Sequence, residues 1–200
     1  SFMWKYIMKL SFSKVILACL VFQLFSCKKD KDAVYSEENP IEGFYIATGF
    51  NQQITNWIDA SDDFVTGYRF SAKVNGKINA ITLKIPDGEE FVKVNIFDFS
   101  SSKLLHSENM VVPNANVNVI KTITPINLEK DKDYIICMYT NDNYYRRKTD
   151  MGSITYPITS GNIVFKEFFV NAIFSPDNIP TGGGSTSFNG DLSFVFQQTN

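Results

Sequence analysis

Apolar residues alternate with polar ones in short runs closed by turn dipeptides, and this pattern narrows what the chain can fold into more than any other feature. Tyr68, Phe70, Ala72 and Val74 occupy every second position and end at Asn75-Gly76. Ile81, Leu83 and Ile85 repeat the rhythm and end at Pro86-Asp87-Gly88. Side chains along a strand point to opposite faces in turn, so a period of two marks a strand with one buried face. Asn-Gly or Asp-Gly between two such runs is a strong hairpin signal. Val92, Val94 and Ile96 continue the pattern, as do Val117 and Val119, Tyr134, Ile136 and Met138, and finally Leu192, Phe194 and Phe196. Beyond the N-terminal region no amphipathic helix of ten or more residues stands out. Strands at about 8–12-residue spacing with turns between them predict an all-β, antiparallel sandwich or barrel.

The first residues carry a different pattern. Lys5, Lys9 and Lys14 precede an apolar run from Val15 to Phe25 that only Gln23 interrupts. That run is about half the roughly 20 residues a helix needs to cross a bilayer. A charged start, a short apolar core and a small residue before a cut form the secretory pattern. Leu24-Phe25-Ser26-Cys27 then reads as a lipobox, with small Ser26 directly before the cysteine. Residues 1–26 are expected to be a lipoprotein signal peptide, with Cys27 freed and lipidated. A secretory peptide without lipid is the plainer alternative. Residues 27–42, with the tract Lys28-Lys29-Asp30-Lys31-Asp32 and Pro40, read as a lipidated cysteine and a flexible tether. Residues 43–200 are then the β domain. The tract after Cys27 resembles the surface-export signal of Bacteroidetes lipoproteins, except that Lys31 separates Asp30 from Asp32. Membrane contact through the lipid is then expected, at a bacterial outer membrane, on the surface or the periplasmic face. Stable attachment needs more than one acyl chain, and lipoproteins carry two or three.

Cleavage before Cys27 leaves 174 of the 200 residues, enough for one domain and a tether. It removes three of the 19 basic residues, leaving 16 against 21 acidic ones, a net charge of −5. Such a chain has no electrostatic footprint for nucleic acid, whose binding is dominated by phosphate neutralisation. With Cys19 discarded and Cys27 acylated, Cys137 is the only thiol left. No disulfide is then expected, and the core must supply the stability. Eighteen Phe and nine Tyr, most of them past the tether, make that core plausible.

A family resemblance rests on particular residues. Gly67-Tyr68-Arg69-Phe70, then Gly76-Lys77-Ile78 and Ile81, looks like the opening of the bacterial domain-of-unknown-function 4082 family. Val94, Ile96 and Asp98 before Leu104-Leu105, Pro125-Ile126 and Leu128 before Tyr134 and Tyr139, and Phe188 with Leu192 to Phe196 resemble its later strands. Asn114-Ala115-Asn116 stands where the family has Gly-Trp. The likeness runs from about Asp63 to Phe196. It implies a jelly-roll-like antiparallel β-sandwich of the kind appended to bacterial surface proteins, and it carries no functional residues over.

Catalytic chemistry is sparse. His106 is the only histidine, in a Leu-Leu-His-Ser strand where a solvent-facing side chain is expected. A Cys137–His106 nucleophile pair is conceivable, but Ile135-Ile136-Cys137-Met138 reads as a buried, inert thiol. No nucleophile elbow, phosphate loop or dinucleotide fingerprint occurs. Asp59, Asp62 and Asp63, like Glu89 and Glu90, sit at turns where acidic residues are ordinary. Asp59-Ala60-Ser61-Asp62-Asp63 is the candidate loop for a structural calcium, against a solvated turn. No other cofactor is implied.

Binding chemistry is denser. Asn141, Asp142, Tyr144, Tyr145 and Arg146 sit in one segment closed by Arg147-Lys148, on a predicted exposed loop or edge hairpin. Aromatic faces stack on sugar rings, while amide, carboxylate and guanidinium groups bond their hydroxyls. The structural alternative turns Tyr144 outward and Tyr145 inward on a strand whose edge three basic residues solvate. Trp57, the only tryptophan left after cleavage, is the second candidate, against a buried inter-sheet position. The expectation is a non-catalytic, lipid-anchored module that binds a glycan or a partner protein. The alternative is an assembly or adhesin-like subunit of a surface complex with no small ligand, and an enzyme is the weakest reading.

Overall fold

The alternating runs become thirteen short strands in the computed structural model, which describes residues 34–58, 64–88, 90–172 and 179–200. Cys27 with the signal peptide, the calcium candidates Asp59, Asp62 and Asp63, and Glu89 lie outside the described residues. A four-stranded sheet runs β1 (Glu37–Glu38), β13 (Asp191–Gln198), β4 (Gly76–Lys84), β7 (Val119–Leu128). A six-stranded sheet runs β10 (Ile158–Ser160), β11 (Ile163–Ala172), β3 (Phe64–Ala72), β8 (Asp133–Thr140), β5 (Glu90–Asp98), β6 (Lys103–Val112). A small third sheet places β9 (Asn143–Arg147) between β12 (Ser187–Asn189) and β2 (Gln53–Trp57). All strand pairings within these sheets are antiparallel.

The two larger sheets share one core. Ile78, Ile81, Leu83, Phe194 and Phe196 enter it from the four-stranded sheet, and Tyr68, Phe70, Val94, Ile96 and Ile136 from the six-stranded one. The six-stranded sheet also buries its other face, where Val65, Phe97, Ile135, Cys137, Tyr139 and Phe169 form a second cluster. A strand covered on both faces has no polar positions to alternate with. That is why Ile135 to Met138 read as an unbroken apolar run.

The turn dipeptides mark corners, not hairpins. β3 pairs with β8 and β11, while β4 pairs with β7 and β13, so the chain crosses from one sheet to the other at Asn75-Gly76. It crosses back between β4 and β5, past Pro86-Asp87-Gly88. Asn75 ties its corner down: its Oδ1 accepts from the Lys130 N–H at 2.8 Å and its carbonyl from the Thr199 N–H at 3.0 Å. Gly76 is needed for space and not for a left-handed turn, because a Cβ there would lie 2.3 Å from the Phe196 ring.

One helix, α1 (Pro40–Thr48), forms inside the stretch expected to be tether and domain start. Its signals are local: Asn39 caps it by accepting from the Ile41 N–H at 3.4 Å, proline opens it, and Gly49 ends it in the left-handed region. At nine residues it falls below the length that periodicity alone resolves. Phe44 docks it, with its ring 4.4 Å from Phe165 and 4.9 Å from Phe188. Burying such a side chain contributes about 1.5–3 kcal/mol. With β1 paired to β13 as well, residues 35–200 form one compact unit.

Candidate functional site

β9 has two faces, and they have different chemistry. Its register with β2 sets Tyr144 opposite Asn56 and Arg146 opposite Ile54 on one face. Asn143, Tyr145 and Arg147 stand opposite Trp57, Thr55 and Gln53 on the other.

The first face turns inward. Tyr144 is 4% exposed, with its hydroxyl 2.6 Å from Asn116 Oδ1 and 3.3 Å from the Ile85 carbonyl oxygen. This reverses the orientation that the structural alternative gave Tyr144, because the β4–β5 corner and the chain leading into β7 cover that side. Arg146, also buried, forks onto Asp191: Nε donates to Oδ1 at 2.5 Å and Nη2 to Oδ2 at 2.6 Å. Its guanidinium sits 4.3 Å from the Tyr45 ring centroid and 5.7 Å from that of Tyr144. Gly190, at φ 89°, gives its N–H to the Tyr144 carbonyl at 2.8 Å and so aims Asp191 at the pair. The Tyr45 hydroxyl lies 2.9 Å from Asp191 Oδ1 and 3.0 Å from the Gly190 carbonyl oxygen. Burial, with the Asp191 charge beside it, raises the Tyr45 pKa well above its ordinary value. Burial opposes the charge on Arg146, but the bond to Asp191, the Asp191 charge and the neighbouring Tyr45 and Tyr144 together outweigh it and raise the pKa, so the guanidinium stays protonated.

A cleft of about 360 Å³ opens beside this pair. Exposed Glu42 and Asn118 and half-buried Lys84 line it together with Arg146, Asp191 and Tyr45. Residues 45 positions apart meet here, and the pairing has no local signature beyond Asn189-Gly190, the turn before the last strand. Sequence reading therefore missed Asp191, Lys84 and Glu42.

The second face is aromatic and open. Trp57 is 41% exposed and stacks on half-buried Tyr145, with centroids 5.1 Å apart and 6° between the planes. Phe64 meets Trp57 edge-on at 6.2 Å. Arg147 reaches Tyr145 from the opposite direction along the strand, Cζ 5.7 Å from the ring centroid, and its Nε donates to Gln53 Oε1 at 2.9 Å. The two aromatics singled out separately in the sequence thus form one ladder, Trp57–Tyr145–Arg147.

The remaining candidates divide. Asn141 is half-buried, and Asp142 is buried with its N–H given to Thr140 Oγ1 at 2.9 Å, so Asp142 is not presented to solvent. Asn143 is buried, and neither atom of its side-chain amide has a hydrogen-bond partner among the described residues. No group of three His, Cys, Asp or Glu among the described residues is placed to hold a metal. His106 and Cys137 do not form a pair: β5 aligns His106 with Ile96 and Cys137 with Asn95, on opposite faces of the sheet. His106 is only partly open, with Nε2 3.6 Å from Glu108 Oε2. Cys137 is fully buried, and burial pushes its thiol up to about 12. Compared with known proteins, the chain matches no family model and no curated protein.

Proposed function

We propose that this chain is a non-catalytic binding module, held at a bacterial outer membrane through a lipid on Cys27, that recognises a glycan with the open face of its smallest sheet. The observation that carries the reading is the Trp57–Tyr145–Arg147 ladder. A partly exposed indole can stack on the apolar side of a sugar ring, while a guanidinium bonds hydroxyls in a fixed fork. Trp57 is held at the proper attitude from below by Tyr145 and edge-on by Phe64, so little ordering cost remains to be met on binding. The resemblance to the domain-of-unknown-function 4082 family belongs to the same reading, as does a jelly-roll-like sandwich. Successive strands β3, β4, β5, then β6, β7, β8, cross between the two larger sheets, which supports that topology.

The test is a glycan-array screen of the purified chain beside its Trp57→Ala variant. Glycans bound by the parent and lost in the variant are the expected result. An empty array, or equal binding by both, counts against it.

A second reading, an assembly subunit, draws on the sheet edges. β6 and β7 are ten-residue strands that each pair on one side alone among the described residues. Exposed Phe91 and Val111 stand directly opposite each other at the β5–β6 end of that edge. Such edges accept an added strand. The Glu108–Lys121 ion pair at 2.9 Å links β6 to β7 and places charge there, which disfavours indiscriminate pairing. Concentration-dependent self-association in analytical ultracentrifugation, lost in Phe91→Lys, is what this reading expects.

A further inference from the structure

We infer that the cleft beside Arg146 and Asp191 is a second, separate binding site, built for an uncharged ring rich in hydroxyls, such as a terminal hexose. Four charged side chains line it, Lys84 and Arg146 against Glu42 and Asp191, so its formal charge is zero. An ion entering such a lining leaves one of these charges uncompensated in a partly dehydrated site, which is costly. A hydroxyl donates and accepts at once, so neighbouring hydroxyls on a ring can take a bond from an ammonium and give one to a carboxylate.

The lining has those groups to spare. Lys84 forms no ion pair among the described residues, and its Nζ rests 5.0 Å from the Tyr144 ring centroid. The side chains of Glu42 and Asn118 have no hydrogen-bond partner among the described residues. Arg146 spends two of its donors on Asp191, and a guanidinium carries five. The volume of about 360 Å³ lies in the range of small-molecule sites.

The lining is also held in place. Arg146 is fixed by Asp191 and by the Tyr45 and Tyr144 rings. At the helix start Asn39 Oδ1 accepts from Ser193 Oγ at 2.7 Å and Asn39 Nδ2 donates to Thr82 Oγ1 at 3.2 Å, which anchors the turn bearing Glu42. A buried ion pair is weak evidence for stability, since apolar replacements often serve as well. One that orients donors toward a cleft has a further use. The site lies on the Tyr144–Arg146 face of β9 and Trp57 on the other, so either site can fail without the other.

The experiment is calorimetric titration of the purified full chain, in a detergent without sugar headgroups, with the methyl glycosides of glucose, galactose, mannose and N-acetylglucosamine. Glucuronate and glucosamine serve as the negatively and positively charged probes. At least one neutral glycoside should bind with Kd below about 10 mM. Lys84→Met and Glu42→Gln should each weaken it about tenfold, with melting temperature retained, and Trp57→Ala is titrated beside them to read any binding at the ladder. Glu42 is exposed on α1, so its variant reports even where Lys84→Met perturbs β4. The inference is overturned if no neutral glycoside binds, if only a charged probe binds, or if binding survives both cleft variants. Loss in Trp57→Ala alone would assign the binding to the ladder instead.

Discussion

Trp57 and Tyr145 stack across the β2–β9 pair with 5.1 Å between ring centroids and 6° between their planes. They are diagonal neighbours, since Tyr145 stands opposite Thr55 and Trp57 opposite Asn143. Diagonal positions on one sheet face bring large side chains within reach. At this separation near-parallel rings are offset, the arrangement that aromatic pairs prefer.

The stack is expected to contribute to stability as well as to recognition. A double-mutant cycle over Trp57→Ala and Tyr145→Ala should return a coupling of about 0.5–1.5 kcal/mol, measured by urea denaturation. Additive effects would mean that the rings do not hold one another.

Arg146→Ala should cost about 3–5 kcal/mol, because it leaves the Asp191 carboxylate buried without its counter-charge. Both side chains are about nine-tenths buried, at 9% and 10% exposure, so solvent does little to soften the loss. The paired replacement Arg146→Met with Asp191→Leu should recover most of the loss. Denaturation midpoints of the single and double variants decide it.

Acid stability should depend on Asp98. A hydrogen bond from Lys132, at 2.9 Å, and others from Ser100 and Ser101 hold its carboxyl well below the ordinary carboxylate range. A folded pKa below the unfolded one means the contribution is complete above about pH 4 and fades as pH falls further. Asp98→Asn should therefore be less stable than the parent at pH 7, with the gap narrowing below about pH 4. A gap that is constant with pH would remove the ionic explanation.

Cys27→Ser should move the protein out of the membrane fraction, as the proposed lipid anchor requires. Unchanged recovery with membranes after carbonate washing would sink the lipoprotein reading.

Much of the fold was legible because it depends on local periodicity. Tyr68, Phe70 and Ala72, and again Leu192, Phe194 and Phe196, alternate because each strand lays one face on the shared core. The thiol of Cys137 was readable as buried from its apolar neighbours. Pairing partners were not readable. Asn75-Gly76 has the composition of a hairpin turn, but whether the chain folds back or crosses to another sheet depends on which strands β8 and β13 occupy.

The sequence by itself determined that Tyr144 and Tyr145 must face opposite ways, since successive strand residues do. Which of them is buried was decided only by the tertiary structure. Ile85 and Asn116, both distant in sequence, cover Tyr144 and leave Tyr145 to Trp57. The same holds for Arg146, which looked like a surface cation until Asp191 arrived from 45 residues away to neutralise it. Alternation is a property of the backbone and is written locally. The side that becomes interior is a property of what packs against it, and those contacts are long-range.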